Sequence, residues 1–187
     1  MQNRYYKPIL LAHLIFLFIN IGCNAPSSPS QNPPTQNPIY GGINIFLAEN
    51  ITSSANLNYQ YFSIDTVKLS AVPIIKYESI ITYDTTKHII NLSFNNDSLL
   101  KVIGNVGLYG TAFVVVLDSV RKYSGFFWTP ISSIPCQIIN VVLSWQPSDS
   151  LGSNQIKLSN GYGYKPENDL RNNRDIINRL ILDGKAR

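Results

Sequence analysis

Ala112-Phe113-Val114-Val115-Val116-Leu117 (AFVVVL), the turn residues Asp118-Ser119 and the return stretch Arg121 to Trp128 (RKYSGFFW) decide the fold of this chain. Six apolar residues in a row, three of them valine, show no in–out alternation. Such a run reads as a strand covered on both faces, at about 1.5–3 kcal/mol for each large side chain removed from water. Aspartate followed by serine suits a tight turn, so Arg121 to Trp128 comes back as the second arm of a hairpin. This hairpin is expected at the centre of its domain. On the return arm, Phe126 and Trp128 point one way and Tyr123 and Phe127 the other. One of those faces is core; the other is either core beneath a helix or an apolar patch that docks a partner. Tyr123, Phe126 and Trp128, with Ser132 and Ser133 in the next loop, are therefore the candidate binding surface. The same Ser132-Ser133, bracketed by Pro130 and Pro135, also reads as a plain turn.

Outward from the hairpin, strands and helices mix without strict alternation. Ile43 to Leu47 alternates as a first strand, Glu49 to Ser63 is a polar loop with one turn of helix, and Val67 to Leu69 is a short strand. A short helix is expected over Tyr77 to Thr82. Asp84 to Lys87 is a turn, and His88 to Phe94 alternates as a strand. Asn95 to Ser98 offers N-caps for a helix through Leu99 to Ile103, which Gly104 and Gly107 keep short. After the hairpin, Thr129 to Pro135 is a loop, Ile138 to Leu143 a buried-type strand and Gln155 to Leu158 an edge strand. A final helix is expected from Glu167 to Asp183, with Leu170, Ile177, Leu180 and Ile181 as one stripe and Ile176 beside them. Asp175 precedes Arg179 by four, and Gly184 and Lys185 suit its end. The class is α+β: a small mixed or antiparallel sheet with a central hairpin and two or three helices.

Charge and residue counts narrow the chemistry. The 187 residues carry a formal charge of +4. Without Arg4 and Lys7 the remainder has thirteen cations against eleven acids, interspersed. Nucleic-acid binding calls for a clustered basic face, so no nucleic-acid partner is expected. Arg171, Arg174 and Arg179 are interleaved with Asp169, Asp175 and Asp183, which reads as a solvated helix face. His13 lies in the leader described below, leaving His88 as the one later histidine, expected exposed at a turn. One histidine and one cysteine, Cys136, fall short of a zinc site, so no metal and no cofactor are expected. Cys136 lies between apolar neighbours and reads as a small buried hydrophobe. No catalytic residues are assigned; a hydrolase here would have to use Ser132 with His88 or the paired acids of the loops.

The start of the chain is an address. Arg4 and Lys7 precede an apolar run from Ile9 to Ile19, interrupted by His13, and Asn20-Ile21-Gly22-Cys23 closes it. A membrane span needs about 20 apolar residues, whereas a secretory core needs only about 7–15. Asn24 to Pro38 follows with no charge, no aromatic residue and five prolines. Such a segment cannot bury enough apolar surface to offset its ordering entropy, so it reads as an extended tether. Residues 1–22 thus resemble bacterial lipoprotein signal peptides, with Asn20 where that family usually has leucine. The resemblance implies lipidation of Cys23 as the mature N-terminus and a membrane partner through that anchor. The same residues also fit an ordinary signal peptide cleaved nearby. Asn24, rather than aspartate, and the lack of an acidic cluster after Cys23 imply an outer membrane anchor facing the periplasm.

A second resemblance spans Asp65 to Leu143. Val67 and Leu69, Pro73, a helical turn near Ile80, Ile89 to Phe94, Leu99 and the Ala112–Trp128 hairpin follow the order of the periplasmic head domain of the protein-translocase accessory subunit SecD. They are also similar to uncharacterised envelope proteins with an apolar strand, an Asp turn, Tyr, Gly, aromatic-Trp and Ser-Ser, here Phe113–Leu117, Asp118, Tyr123, Gly125, Phe127-Trp128 and Ser132-Ser133. The SecD resemblance implies at most a ferredoxin-like head; transport activity is not carried over, since no transmembrane helix beyond the leader is expected and Gln137 to Leu143 replaces that family's glycine-rich segment. The organisation expected is a leader (1–22), a tether (23–38) and one α+β domain (39–187). Its expected role is non-enzymatic binding, with an envelope protein as candidate partner; an envelope hydrolase or a purely structural lipoprotein are the alternatives.

Overall fold

The central hairpin forms as expected in the computed structural model, which describes residues 40–51, 62–104, 106–143, 151–162 and 169–187. Strand β5 (Thr111–Leu117) pairs antiparallel with β6 (Val120–Trp128) through Leu117↔Val120. The two residues between them, Asp118 and Ser119, have φ of 46° and 70°. That left-handed pair matches the twist of the flanking strands, at a cost on the order of 1 kcal/mol for each non-glycine residue. Tertiary bonds offset the cost. The Gly42 N–H donates to Asp118 Oδ1 at 2.6 Å, the Asp118 N–H donates to the Gly42 carbonyl at 3.0 Å, and the Arg179 guanidinium reaches Asp118 Oδ2 at 3.2 Å.

The hairpin is the middle of a five-stranded sheet. β1 (Ile43–Glu49) lies against β5, β2 (Lys68–Leu69) against β1, and β7 (Asn140–Val142) runs parallel to β6, giving the order β2-β1-β5-β6-β7. A second, antiparallel sheet has the order β3-β4-β8, from Ile80–Asp84, Ile89–Leu92 and Gln155–Lys157. Two α-helices complete the described residues: α1 (Asn96–Ile103), capped by Asn95 accepting the Ser98 N–H, and α2 (Arg174–Leu182), capped by Asn173 accepting the Ile176 N–H. Residues Gln36–Arg187 form one compact unit. The α+β class holds. The element order is not the β-α-β-β-α-β of a ferredoxin-like head, because the strands divide between two sheets.

The main core lies between the sheets. Phe113, Val115, Leu117, Tyr123 and Phe127 from the hairpin meet Ile80, Tyr83, Ile90, Leu92, Ile156 and Leu158 from the second sheet, with Leu99, Ile176 and Leu180 from the helices. The other face of β5 is covered too. Val114 and Val116 pack with Phe46 and Leu69, while Ala112, Phe126 and Trp128 pack with Cys136. A strand that alternates into two separate cores has no polar face to show, which is why AFVVVL is unbroken. Gly125 is the tight point. It pairs with Phe113, and a Cβ there would overlap the Phe113 ring and stand 2.7 Å from the Ile139 carbonyl oxygen.

Three expected elements differ. Tyr77 to Thr82 is a 3-10 turn (Tyr77–Ser79) running straight into β3, since Ile80 to Tyr83 finds a strand partner in β4. The last helix is shorter than Glu167 to Asp183: Leu170–Asn172 is a separate 3-10 turn, Asn173 restarts the chain as α2, and 163–168 lie outside the described residues. Within its expected stripe only Leu180 is fully buried, beside Ile176; Leu170 and Ile181 are exposed. Asp175 pairs with Lys122 of β6 at 2.6 Å, and Arg179 with Asp183 and Asp118. Lys185 leaves the helix end, donates to the Tyr77 and Ile80 carbonyls, and sits 4.1 Å from the Tyr77 ring centre.

Because neighbours on both sides of Gly125 are core, Gly125→Ala is expected to destabilise the protein by about 1–3 kcal/mol, read as a lower urea midpoint at unchanged slope. Gly107→Ala, where an added Cβ meets open space, serves as the near-neutral comparison.

Candidate functional site

The aromatic surface expected from the sequence is closed. Tyr123 and Phe127 belong to the main core, and Phe126 (1 % exposed) and Trp128 (6 %) sit beneath the chain that follows them. Partly buried Ile134 and Ile138 from that segment, with Ala48, Ile51 and Phe62, cover the Phe126–Trp128 side. The cover is loop rather than helix, and no docking patch remains at Tyr123, Phe126 and Trp128. Ser132 turns its hydroxyl to the Leu108 carbonyl at 2.6 Å and accepts the Ile134 N–H, which is turn chemistry; Ser133 is exposed in the same loop. Cys23 lies outside the described residues.

The polar chemistry gathers instead around His88. It is not turn-exposed: it is 8 % exposed, with φ of 57°, at the end of the Asp84–Lys87 turn. Asp84 shapes that turn by accepting the Thr86 and Lys87 N–H groups at 2.9 and 2.8 Å. Those amides hold its carboxyl below the usual carboxylate range. The turn swings the His88 ring inward, where Nδ1 stands 2.8 Å from the Tyr83 hydroxyl and Nε2 is 3.9 Å from Asp169 Oδ2. A carboxylate facing Nε2 favours the proton there and leaves Nδ1 to accept from Tyr83. Asp169 is itself gripped by Arg171 through two bonds, Nε to Oδ1 at 2.9 Å and a terminal nitrogen to Oδ2 at 2.7 Å. The side chains of this pair are only 7 % and 13 % exposed. Arg171 also donates to the Leu158 carbonyl at 3.1 Å, joining the pair to the strand beside β4.

The network is satisfied and nearly neutral. Burial, followed by the Arg171 charge, pushes the His88 imidazole below its ordinary value, against the opposing pull of Asp169. Burial pushes the Tyr83 hydroxyl upward, so it stays protonated at neutral pH. Among the described residues no serine or cysteine side chain bonds His88, and Ser132 has its own partners, so the two are not assembled as a nucleophile–base pair. No three His, Cys, Asp or Glu side chains converge as metal ligands among the described residues.

Outside this network lies an open cleft of about 1180 Å³. Its floor is the outer face of the second sheet and its rim carries Lys87, Lys157, Arg171 and Arg187. Sequence reading assigned Arg171 and Asp169 to a solvated helix face and gave no role to Lys87 and Lys157. The signal was slight: Asp169-x-Arg171 fits a local pair, but nothing in the sequence links it to a histidine some eighty residues earlier. Cys136 is the buried hydrophobe expected, its thiol pushed up to about 11 by burial. Comparison of the chain with protein-family models, with curated proteins and with solved structures finds no match in any of the three.

Two outcomes follow from these environments. The unfolded chain takes up a proton at His88 before the folded one does, so stability falls as pH drops below about 6.5 and levels off beneath the lower folded value. His88→Asn tolerates the positive φ and lacks the imidazole, so denaturation midpoints measured from pH 7.5 to 5 should fall less steeply than in the wild type. Cys136 should resist a thiol-reactive disulfide reagent in native buffer at pH 7.5 and react promptly in denaturant, as a buried thiol does.

Proposed function

We propose that this chain is a lipid-anchored protein of the bacterial cell envelope, tethered through Cys23 and carrying a non-enzymatic binding domain. The order of segments carries the reading. A basic, apolar leader ending in Gly22-Cys23 is followed by the uncharged, proline-rich stretch to Pro38, and the folded domain begins directly after it. Tyr40 already packs edge-on against Phe46, and β1 starts at Ile43. A diacylglycerol at Cys23 supplies two acyl chains, which anchor stably where a single chain binds marginally. Asn24 and the absence of acids in the tether favour the outer membrane, periplasmic side.

The binding role rests on what the described surface offers. The single histidine after the leader is committed to the Tyr83 hydroxyl and faces Asp169, with no serine or cysteine side chain bonded to it among the described residues, while the neighbouring cleft is wide and open, with four cations in its lining. An envelope protein partner would have to meet this domain elsewhere than at the buried aromatic residues of β6.

Intact-mass measurement of the mature product from a bacterial host should show Cys23 as the first residue bearing diacylglycerol, and the protein should sediment with membranes. Cys23→Ala should abolish both. A mature chain lacking the lipid, or starting elsewhere, overturns the proposal.

A further inference from the structure

We propose that the outer face of β3-β4-β8 binds an anionic glycan, a polyhydroxylated chain bearing carboxylate or phosphate groups. This rests on the reading of the domain as a binding module, and it does not require the lipid anchor.

Strand register builds the floor. Thr82 faces Asn91 across β3–β4, and Asn91 faces Gln155 across β4–β8. Their side chains form one line of hydrogen bonds: Asn91 Nδ2 donates to the Thr82 hydroxyl at 2.7 Å, and Gln155 Nε2 donates to Asn91 Oδ1 at 2.7 Å. The alternate residues, Ile90, Leu92 and Ile156, are buried in the core, so Asn91 and Gln155 point into the cleft they line, while Thr82 is itself buried and anchors the row from one end. Paired amides in a row are held in fixed rotamers, and the positions left over for bonding face the cleft.

Charge supplies the rim. Lys87 comes from the β3–β4 turn, Lys157 from β8 and Arg171 from the 3-10 turn before α2, three separate segments converging on one opening. Asp169 is already engaged by Arg171, and Asp84 is turned onto the amides of its own turn. Among the described residues no carboxylate lies within ion-pair distance of Lys87 or Lys157. Arg171 is balanced by Asp169, so the positive field at the opening comes from the two exposed lysines, with the Asp84 carboxylate also in the lining.

The chemistry of the walls selects the ligand. Among the described residues no aromatic side chain lines the cleft, which disfavours stacked bases, and Ile89 and Leu151 are the apolar ones, which disfavours a hydrophobic peptide or drug-like molecule. A volume of about 1180 Å³ exceeds what a lone ion fills and suits an extended ligand. The Asn91 and Gln155 amides below, with cations at the edge, match sugar hydroxyls with acidic substituents.

The test uses the full-length chain purified in detergent and titrated at low salt with polygalacturonate, with phosphomannan, with neutral dextran, with duplex DNA and with inorganic phosphate. Binding to polygalacturonate, phosphomannan or both, without binding to dextran, is expected; which of the two binds identifies the acidic group. Lys87→Gln combined with Lys157→Gln should weaken that binding about tenfold or more, as loss of two charge-assisted contacts does, while the surface variant Lys101→Gln should not. The proposal is overturned if neither anionic glycan binds, if inorganic phosphate alone binds, if the double variant binds like wild type, or if duplex DNA binds equally well with the same lysine dependence. Cys23→Ala should leave glycan binding intact, so failure of the anchor and failure of the cleft are read separately.

Discussion

Everything in this domain follows from the need to cover both faces of β5. A strand of Ala112-Phe113-Val114-Val115-Val116-Leu117 left with one wet face would expose several large apolar side chains. The inner row is met by the second sheet and by α1 and α2, and the outer row by Phe46, Leu69 and the chain after β6. The fold is thus layered, with the hairpin as the shared wall between unequal cores.

Polar contacts set how those layers join. Asp118, at the tip of the hairpin, binds the start of β1 and receives Arg179 from α2. Asn44, buried in β1, accepts the Tyr77 N–H and so fixes the 3-10 turn that leads into β3. Burial and the Asp183 carboxylate push the Tyr77 hydroxyl up to about 12, keeping it a donor to Asp183. These bonds dock the second sheet with its apolar face inward and leave Asn91 and Gln155 lining the cleft on its other face. The Tyr83–His88–Asp169–Arg171 chain lies at the boundary, with Tyr83 in the core and Arg171 on the cleft. Its buried charges are tolerable because each has a partner of opposite sign or a carbonyl.

Local signals match the structure wherever it depends on local chemistry. The Asp118-Ser119 turn, the Asn95 cap region, the Asp84–Lys87 turn and the Gly184 stop all lie where their residue types place them. Elsewhere a distant partner overrides local propensity. Tyr77 to Thr82 mixes periods, and pairing with β4 made most of it a strand. His88 sits in a polar turn, and only the arrival of Asp169 and Arg171 from the far end of the chain explains its burial. The aromatic run of β6 was correctly divided between two faces, but its second face is covered by residues 134–138, a loop whose path no pattern in the sequence reveals.

The sequence by itself determined the α+β class, the hairpin at its centre and the short caps and turns, because these depend on residues within a few positions of one another. It also carries the apolar run from Ile9 to Ile19, Cys23 and the uncharged, proline-rich stretch to Pro38 as linear features. Tertiary structure alone decided which face of each strand is dry, that the strands divide into two sheets, and that Lys87, Lys157 and Arg171 share an opening. Burial and charge convergence are sums over residues far apart in the chain, and their positions become related only when two sheets close on a common core.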